Sequence, residues 1–263
     1  MKVTEVLDSF PLWTLLPVTV LVALVSVEFG YRVARYRRQR SEEETESSVG
    51  AMVGATLGLL AFMLAFTFGL AGSRFEDRRQ VILSEANAIG TTYLRAAMLP
   101  EPMRTETRNL LREYVDVRLE APQPGKVDQA ISKSEELQDR LWSQATAAAD
   151  KDRSPITGLF IQSLNEVIDL HAKRIMMALR SRVPGAIWIG LYLLAILAMT
   201  VLGYHEGLTS KRRSIAVIAL ALAFSVVLIL IVDLDRPGQG LLRVSQQSMV
   251  DLRKSMSATR SSP

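Results

Sequence analysis

Residues 49–99 read VGAMVGATLGLLAFMLAFTFGLAGSRFEDRRQVILSEANAIGTTYLRAAML, and this stretch decides the architecture. From Val49 to Gly72 there is no charged residue. About twenty such residues cross a hydrocarbon core of roughly 30 Å as a helix. The charged part that follows keeps helical register. Phe75, Ile82, Ala86, Ile89 and Tyr93 step by 7, 4, 3 and 4, which places them on one helix face. Nothing between Gly72 and Phe75 is a strong stop. One helix is therefore expected from about Val49 to Leu99, roughly 75 Å long at 1.5 Å per residue. It leaves the bilayer and continues outside it. Pro100 and Pro102 end it, because proline lacks the amide hydrogen a helix interior needs.

Three more apolar blocks flank this stretch: Phe10 to Phe29, Gly185 to Tyr204, and Ser214 to Val232. The first is too long for a secretory h-region, and Glu5 and Asp8 spoil a positive leader, so it reads as a retained span. Pro11 and Pro17 predict a kink in its first half. Trp13, Tyr31, Trp188 and Tyr204 fall near block ends, where amphipathic rings favour the interface. Apolar residues are 49% of the 263-residue chain and charged residues 22%, but the two are segregated into blocks, which excludes a purely soluble protein. With no Cys and two His, a disulfide framework, a thiol nucleophile and a multi-His metal centre are excluded. A net charge of +4, against 31 basic and 27 acidic residues, does not point to nucleic acid.

The expected fold is all-α, with four spans and a four-helix insert into which span two continues. The segments are 1–72 (first membrane half), 73–184 (insert), 185–235 (second membrane half) and 236–263 (tail). The insert carries 17 Lys/Arg and 16 Asp/Glu, so it is nearly neutral. Its further helices are expected at Met103 to Leu119, with Leu111, Tyr114 and Arg118 on one side, at Val127 to Ala149, and from Ser154 to Val183. Ser154 followed by Pro155 is a helix start, a capping hydroxyl before a first-turn proline. Ala121 to Gly125, rich in Pro, is a loop.

Four spans place both termini and the insert on one side. The short loops hold Arg32, Arg35, Arg37, Arg38 and Arg40, then Lys211, Arg212 and Arg213, which argues for short loops inside. Arg74, Arg78, Arg79, Arg180 and Arg182, with the basic tail, argue the reverse. The side of the insert stays open.

No catalytic, cofactor or metal constellation is present: no phosphate loop, nucleophile elbow or metal spacing. His171, one helical step from Val167 and Ile175, reads as packed within the helix rather than handling protons. His205-Glu206 reads as an interfacial loop pair. Three features carry more. Gly50, Gly54, Gly58, Ala61, Ala65 and Gly69 form a stripe of small residues, which lets helices approach closely in lipid. Phe62 and Phe66, on the neighbouring face, are candidates for a hydrophobic constriction, or face lipid or another helix. Ser73 and Asp77 continue that face and Arg74 lies about 100° off it, so it does not favour anions. Asp233-Leu234-Asp235-Arg236-Pro237 closes span four, either as an interfacial acidic pair with Arg236 as partner or as a binding element.

Leu64-Ala65-Phe66-Thr67-Phe68, Arg74, Arg78-Arg79, then Glu85-Ala86-Asn87-Ala88-Ile89-Gly90, Tyr93-Leu94-Arg95, Leu99-Pro100 and Arg104 resemble the bestrophin-like domain family of bacterial membrane proteins. Tyr114-Val115-Asp116, Asp233 to Pro237, Gly240 and Val244-Ser245 extend the resemblance over nearly the whole chain. Gly238 departs from it, where the family pattern has an aromatic residue. The resemblance marks Glu85, Asn87, Gly90, Arg95, Asp233, Asp235, Arg236 and Pro237 as motif residues and implies the bacterial inner membrane. Distant similarity to bestrophins, pentameric anion channels whose second helix lines the pore with an aromatic neck, would make Phe62 and Phe66 that neck. The acidic calcium cluster of bestrophins has no match here. In bestrophins the insert and termini are cytoplasmic, opposite to the short-loop count.

The expected function is a homo-oligomeric ion channel in the lipid bilayer, with no cofactor. The alternative is a non-conducting scaffold or sensor whose insert binds a protein partner. Channels keep polar residues facing the lumen. The four spans offer only Ser26, Glu28, Thr56, Thr67, Thr200 and Ser225 away from their ends, which favours a scaffold or a channel with a dry neck.

Overall fold

A computed structural model describes residues 10–39, 46–123, 125–179, 181–209, 215–236 and 240–258. It contains α1 (Leu12–Arg38), α2 (Glu46–Ala96), α3 (Met103–Glu120), α4 (Val127–Lys151), α5 (Pro155–Leu179), α6 (Gly185–Leu208), α7 (Ile215–Asp235) and α8 (Gln247–Ala258), with no strand among the described residues. Four helices, α1, α2, α6 and α7, are long and apolar enough to cross a membrane. The expected helix through Gly72 is real: α2 runs unbroken for 51 residues. α1 is also one helix, with Pro11 at its start and Pro17 in its second turn. It outruns the apolar block and ends on Arg35, Arg37 and Arg38, cations that suit the negative end of a helix dipole.

The chain divides into two compact units: Met1–Phe75 with Arg182–Leu242, and Glu76–Ser181 with Arg243–Pro263. The first unit is built on α1, the first part of α2, α6 and α7. Leu15, Leu60, Leu64, Trp188, Leu191, Met199, Leu228 and Ile231 make its core. α1 lies directly against α6, and glycine permits it. A Cβ on Gly30 would enter the Thr200 carbonyl, and one on Gly203 would enter the Val27 carbonyl. One on Gly207 would press on Ala34 Cβ at 2.6 Å. Lipid gives helices no hydrophobic reason to associate, so such close backbone contact replaces it.

The second unit holds the rest of α2 with α3, α4, α5 and α8. Its core is conventional: Ile82, Ile89, Tyr93, Leu111, Tyr114, Leu137, Leu141, Phe160, Leu164, Val167 and Met249 are buried together. α5 opens as expected, with Ser154 Oγ accepting from the Thr157 amide at 3.4 Å and donating to Asp152 Oδ2 at 2.7 Å. It does not reach Val183. It ends at Leu179, because Pro184 disfavours a helical Val183 and the Val183 amide donates instead to Asp235 Oδ1 at 2.8 Å. The tail holds α8, which the sequence reading did not anticipate. This helix packs into the second unit through Met249 and Met256.

Candidate functional site

In the first unit, α2 buries Val49, Val53, Leu60, Leu64, Thr67 and Ala71 along one stripe. Phe62 stands two residues beyond Leu60, about 200° round the helix, and Phe66 likewise beyond Leu64. Both therefore point away from the chain's own bundle, with 65% and 61% of their surface exposed. The small-residue stripe shares that outward side. A Cβ on Gly54, Gly58 or Gly69 meets nothing within 4 Å, and Ala61 and Ala65 are exposed. Gly50 alone faces a neighbour, the His205 ring, with Nε2 3.3 Å from an added Cβ. Within one chain, close helix packing thus falls to Gly30, Gly203 and Gly207. The stripe of spaced glycines was legible as a spacing, but what stands opposite it was not.

The polar residues of the spans are used locally. Ser26, Thr56, Thr67, Thr200 and Ser225 each donate a hydroxyl to the carbonyl one turn back, at 2.8 to 3.0 Å. Glu28 takes the Arg32 guanidinium at 2.7 Å, one turn on. Arg74 donates to the Arg182 carbonyl.

The motif after span four is an assembly of caps. Asp233 Oδ1 accepts from the Leu241 amide at 2.9 Å, and Oδ2 from the Leu242 amide at 3.0 Å. Asp235 caps the Val183 amide at the entry to α6. Arg236 Nη2 donates to the Phe10 carbonyl at 2.8 Å. The two carboxylates therefore serve backbone amides, which accounts for the motif structurally. Pro237 and Gly238 lie outside the described residues.

The motif around Glu85 is the electrostatic centre of the second unit. Glu85 is wholly buried. Its Oε1 accepts from Arg118 Nε at 2.9 Å and from the Tyr114 hydroxyl at 3.3 Å. Its Oε2 accepts from Arg174 at 2.5 Å, and Arg174 also donates to Gln246 Oε1 at 3.0 Å, just before α8. Gln138 Nε2 donates to the Tyr114 oxygen at 3.2 Å. Thus α2, α3 and α5 meet on one carboxylate, which α4 reaches through Tyr114 and the segment leading to α8 through Arg174. Burial pushes Glu85 up, but the charges of Arg174 and Arg118 outweigh it and hold the carboxyl below its ordinary value. Burial and the Glu85 charge push the Tyr114 hydroxyl well up.

His171 packs obliquely on Tyr114, with ring centroids 6.3 Å apart, and both ring nitrogens are buried without a partner among the described residues. Burial, then Arg118, lowers its pKa to about 4, so the ring is neutral. Of the other motif residues, Asn87 is exposed, Arg95 donates to the Leu159 carbonyl at 2.6 Å, and Gly90 admits Leu252 of α8. Arg118 and Tyr114 share the Leu111 face, and Glu85 lies within the Ile82–Ile89 face. Charges in register with apolar residues were the signal for this cluster.

The fold defined here is a bundle of long apolar helices with a charged helical unit inserted between the second and third. The Bestrophin-like domain model matches residues 19–249, and the chain belongs to that family. A bestrophin homologue from Klebsiella pneumoniae, solved by zinc phasing, has the same fold: TM-score 0.67, 15% identity, covering 95% of this chain and 99% of that one. A point variant of a bestrophin homologue from the same organism matches with the same figures. A structure described only as a membrane protein variant matches at TM-score 0.64 and 14% identity, over 94% of this chain and 98% of that one. No curated protein matches the chain.

Proposed function

We propose that the protein is a homo-oligomeric ion channel of the bacterial inner membrane, with Phe62 and Phe66 of each copy forming a dry neck. The observation that carries this reading is that both rings project from α2 away from the chain's own bundle, on an apolar face. The span hydroxyls bond to their own helices, so a conduction path runs between copies rather than through one chain. The exposed stripe of Gly54, Gly58, Ala61, Ala65 and Gly69 lies beside the rings and gives neighbouring copies a close approach. Resemblance to bestrophins, whose second helix lines the pore, argues the same way. In a ring of aromatic side chains an ion has little room for its water, and the apolar wall offers no replacement ligands.

The test is flux in liposomes, with chloride and potassium measured separately. Phe62→Ala with Phe66→Ala widens and wets the neck, so flux rises and selectivity falls. Asp77 and Ser73, exposed further along α2, give no reason for a strong preference for anions. Silence of both wild type and the double variant, with intact oligomers, over all voltages and pH values tested would end the channel reading. The alternative, a scaffold or sensor binding a protein through the charged unit, would then lead. Its specific support is the scarcity of lumen-ready polar groups in the spans.

A further inference from the structure

A second cluster of arginines in the helical unit, separate from Glu85, has no counter-charge among the described residues. Arg108 and Arg112 stand one turn apart on α3 and converge on the buried ring of Tyr93. Their guanidinium carbons lie 4.3 and 5.2 Å from its centroid. Arg112 is seated: it donates to the Tyr93 oxygen and, at 2.9 Å, to Asn109 Oδ1. The Tyr93 hydroxyl in turn donates to the Met256 carbonyl of α8 at 3.3 Å. Arg108 rests on the ring alone, with no hydrogen bond or ion pair among the described residues. The Nε atoms of both arginines are shut off from solvent without an acceptor.

Several other arginines of the unit do have an acidic partner. Arg118 and Arg174 share Glu85, Arg253 has Asp116 at 3.2 Å, and Arg104 has Glu101 at 3.8 Å. Glu113, the next acid along α3, is taken by Lys133 at 3.1 Å. Two like charges one turn apart repel each other. Here a tyrosine face orients them, and cation–π attraction holds guanidinium planes over it. Such forks match tetrahedral and planar oxyanions by paired N–H donation.

We propose that Arg108 and Arg112, converging on Tyr93, bind a phosphate group. A carboxylate answers one fork and leaves the other charge unmet. A phosphate carries up to two charges near neutrality and three acceptor oxygens, enough for both. The group can belong to a soluble phosphate compound or to a lipid headgroup. Both present the same chemistry, and the experiment separates them.

The full chain in an uncharged detergent at low ionic strength is titrated calorimetrically with inorganic phosphate and, separately, with acetate. In a second arm, phosphatidic acid or phosphatidylcholine is doped into the micelles. Saturable binding of inorganic phosphate, or of phosphatidic acid alone, is expected. The first assigns a soluble source and the second a headgroup. Arg108→Gln weakens binding at least tenfold and Arg112→Gln weakens it similarly. Tyr93→Phe keeps the ring but removes the oxygen seating Arg112, and falls between. Arg108→Lys keeps the charge without the fork, recovers only part of the affinity, and decides the matter if Arg108→Gln does not fold. No saturable binding by wild type in either arm overturns the proposal. So does equal binding by wild type, Arg108→Gln and Arg108→Lys, or acetate binding as tightly as phosphate.

Discussion

The two units of this chain solve the same packing problem with opposite materials. In the membrane-crossing unit, helices are held by backbone contact. Gly30 and Gly203 bring α1 onto α6 so closely that a single methyl group would strike a carbonyl, and the span hydroxyls bond to their own helices. In the helical unit an ordinary apolar core surrounds a buried carboxylate of α2, and Tyr114 and Arg118 of α3 and Arg174 of α5 converge on it. The difference follows from the solvent. Lipid is as apolar as leucine, so only shape and close approach distinguish one helix pairing from another. In water, apolar burial drives association without direction, and a buried charge that must be matched fixes which helix faces which.

This comparison breaks most readily at Glu85. Glu85→Ala leaves two guanidiniums buried without their anion, and losing one partner of a buried pair costs about 3–5 kcal/mol. A large fall in thermal midpoint is expected, with tail residues near Gln246 becoming protease-sensitive first. An unchanged midpoint would mean the cluster is not what organises the helical unit.

The next effect is smaller and depends on pH. His171 is held neutral, with a folded pKa of about 4 against an ordinary 6.5. Between those values the unfolded chain binds more protons than the folded one. Stability is therefore fully present above pH 6.5, is lost as pH falls towards 4, and loses nothing further from this group below that. The window corresponds to about 3 kcal/mol. The groups facing the ring are Tyr114 and Arg118 from α3, Glu85 from α2 and Arg174 from its own helix. Since carboxylates also titrate there, the measurement is a difference: His171→Leu should flatten denaturant stability between pH 6.5 and 4.5 relative to wild type. Equal slopes would show that the ring titrates normally.

The smallest expected effect sharpens the membrane half of the comparison. Gly203→Ala overpacks the α1–α6 contact and should cost about 1–3 kcal/mol or more. Gly54→Ala and Gly58→Ala, which meet open space in one chain, should leave the melting of the monomeric fold within about 0.5 kcal/mol. Gly54→Leu should instead change oligomer size in detergent. If Gly54→Ala destabilised the chain as much as Gly203→Ala, the assignment of packing to Gly30, Gly203 and Gly207 would be wrong.

Much of the architecture was legible beforehand because it depends on local periodicity. The continuous α2, the Ser154 start of α5 and the four apolar spans all follow from neighbours along the chain, although α2 ends at Ala96, three residues short of the expected Leu99. Val183 was misread as helical because the competing partner, Asp235, is 52 residues away. α8 escaped notice because twelve residues with two buried methionines carry little periodic signal. The motif residues were recognisable, but their roles were not. In sequence Asp233 and Asp235 read as an interfacial acidic pair with Arg236 or as a binding element, whereas in the fold they accept from the amides of Leu241, Leu242 and Val183.

The sequence by itself determined which segments are helical, which of them suit lipid, and that charge crowds between the apolar spans, because hydrophobic pattern and proline placement act over one or two turns. Only the tertiary structure decided which glycines touch another helix, which arginines share Glu85, and which rings of α2 are left facing outward. Those outcomes depend on what a second helix brings to the same point in space, and spacing along one helix carries no information about its neighbour.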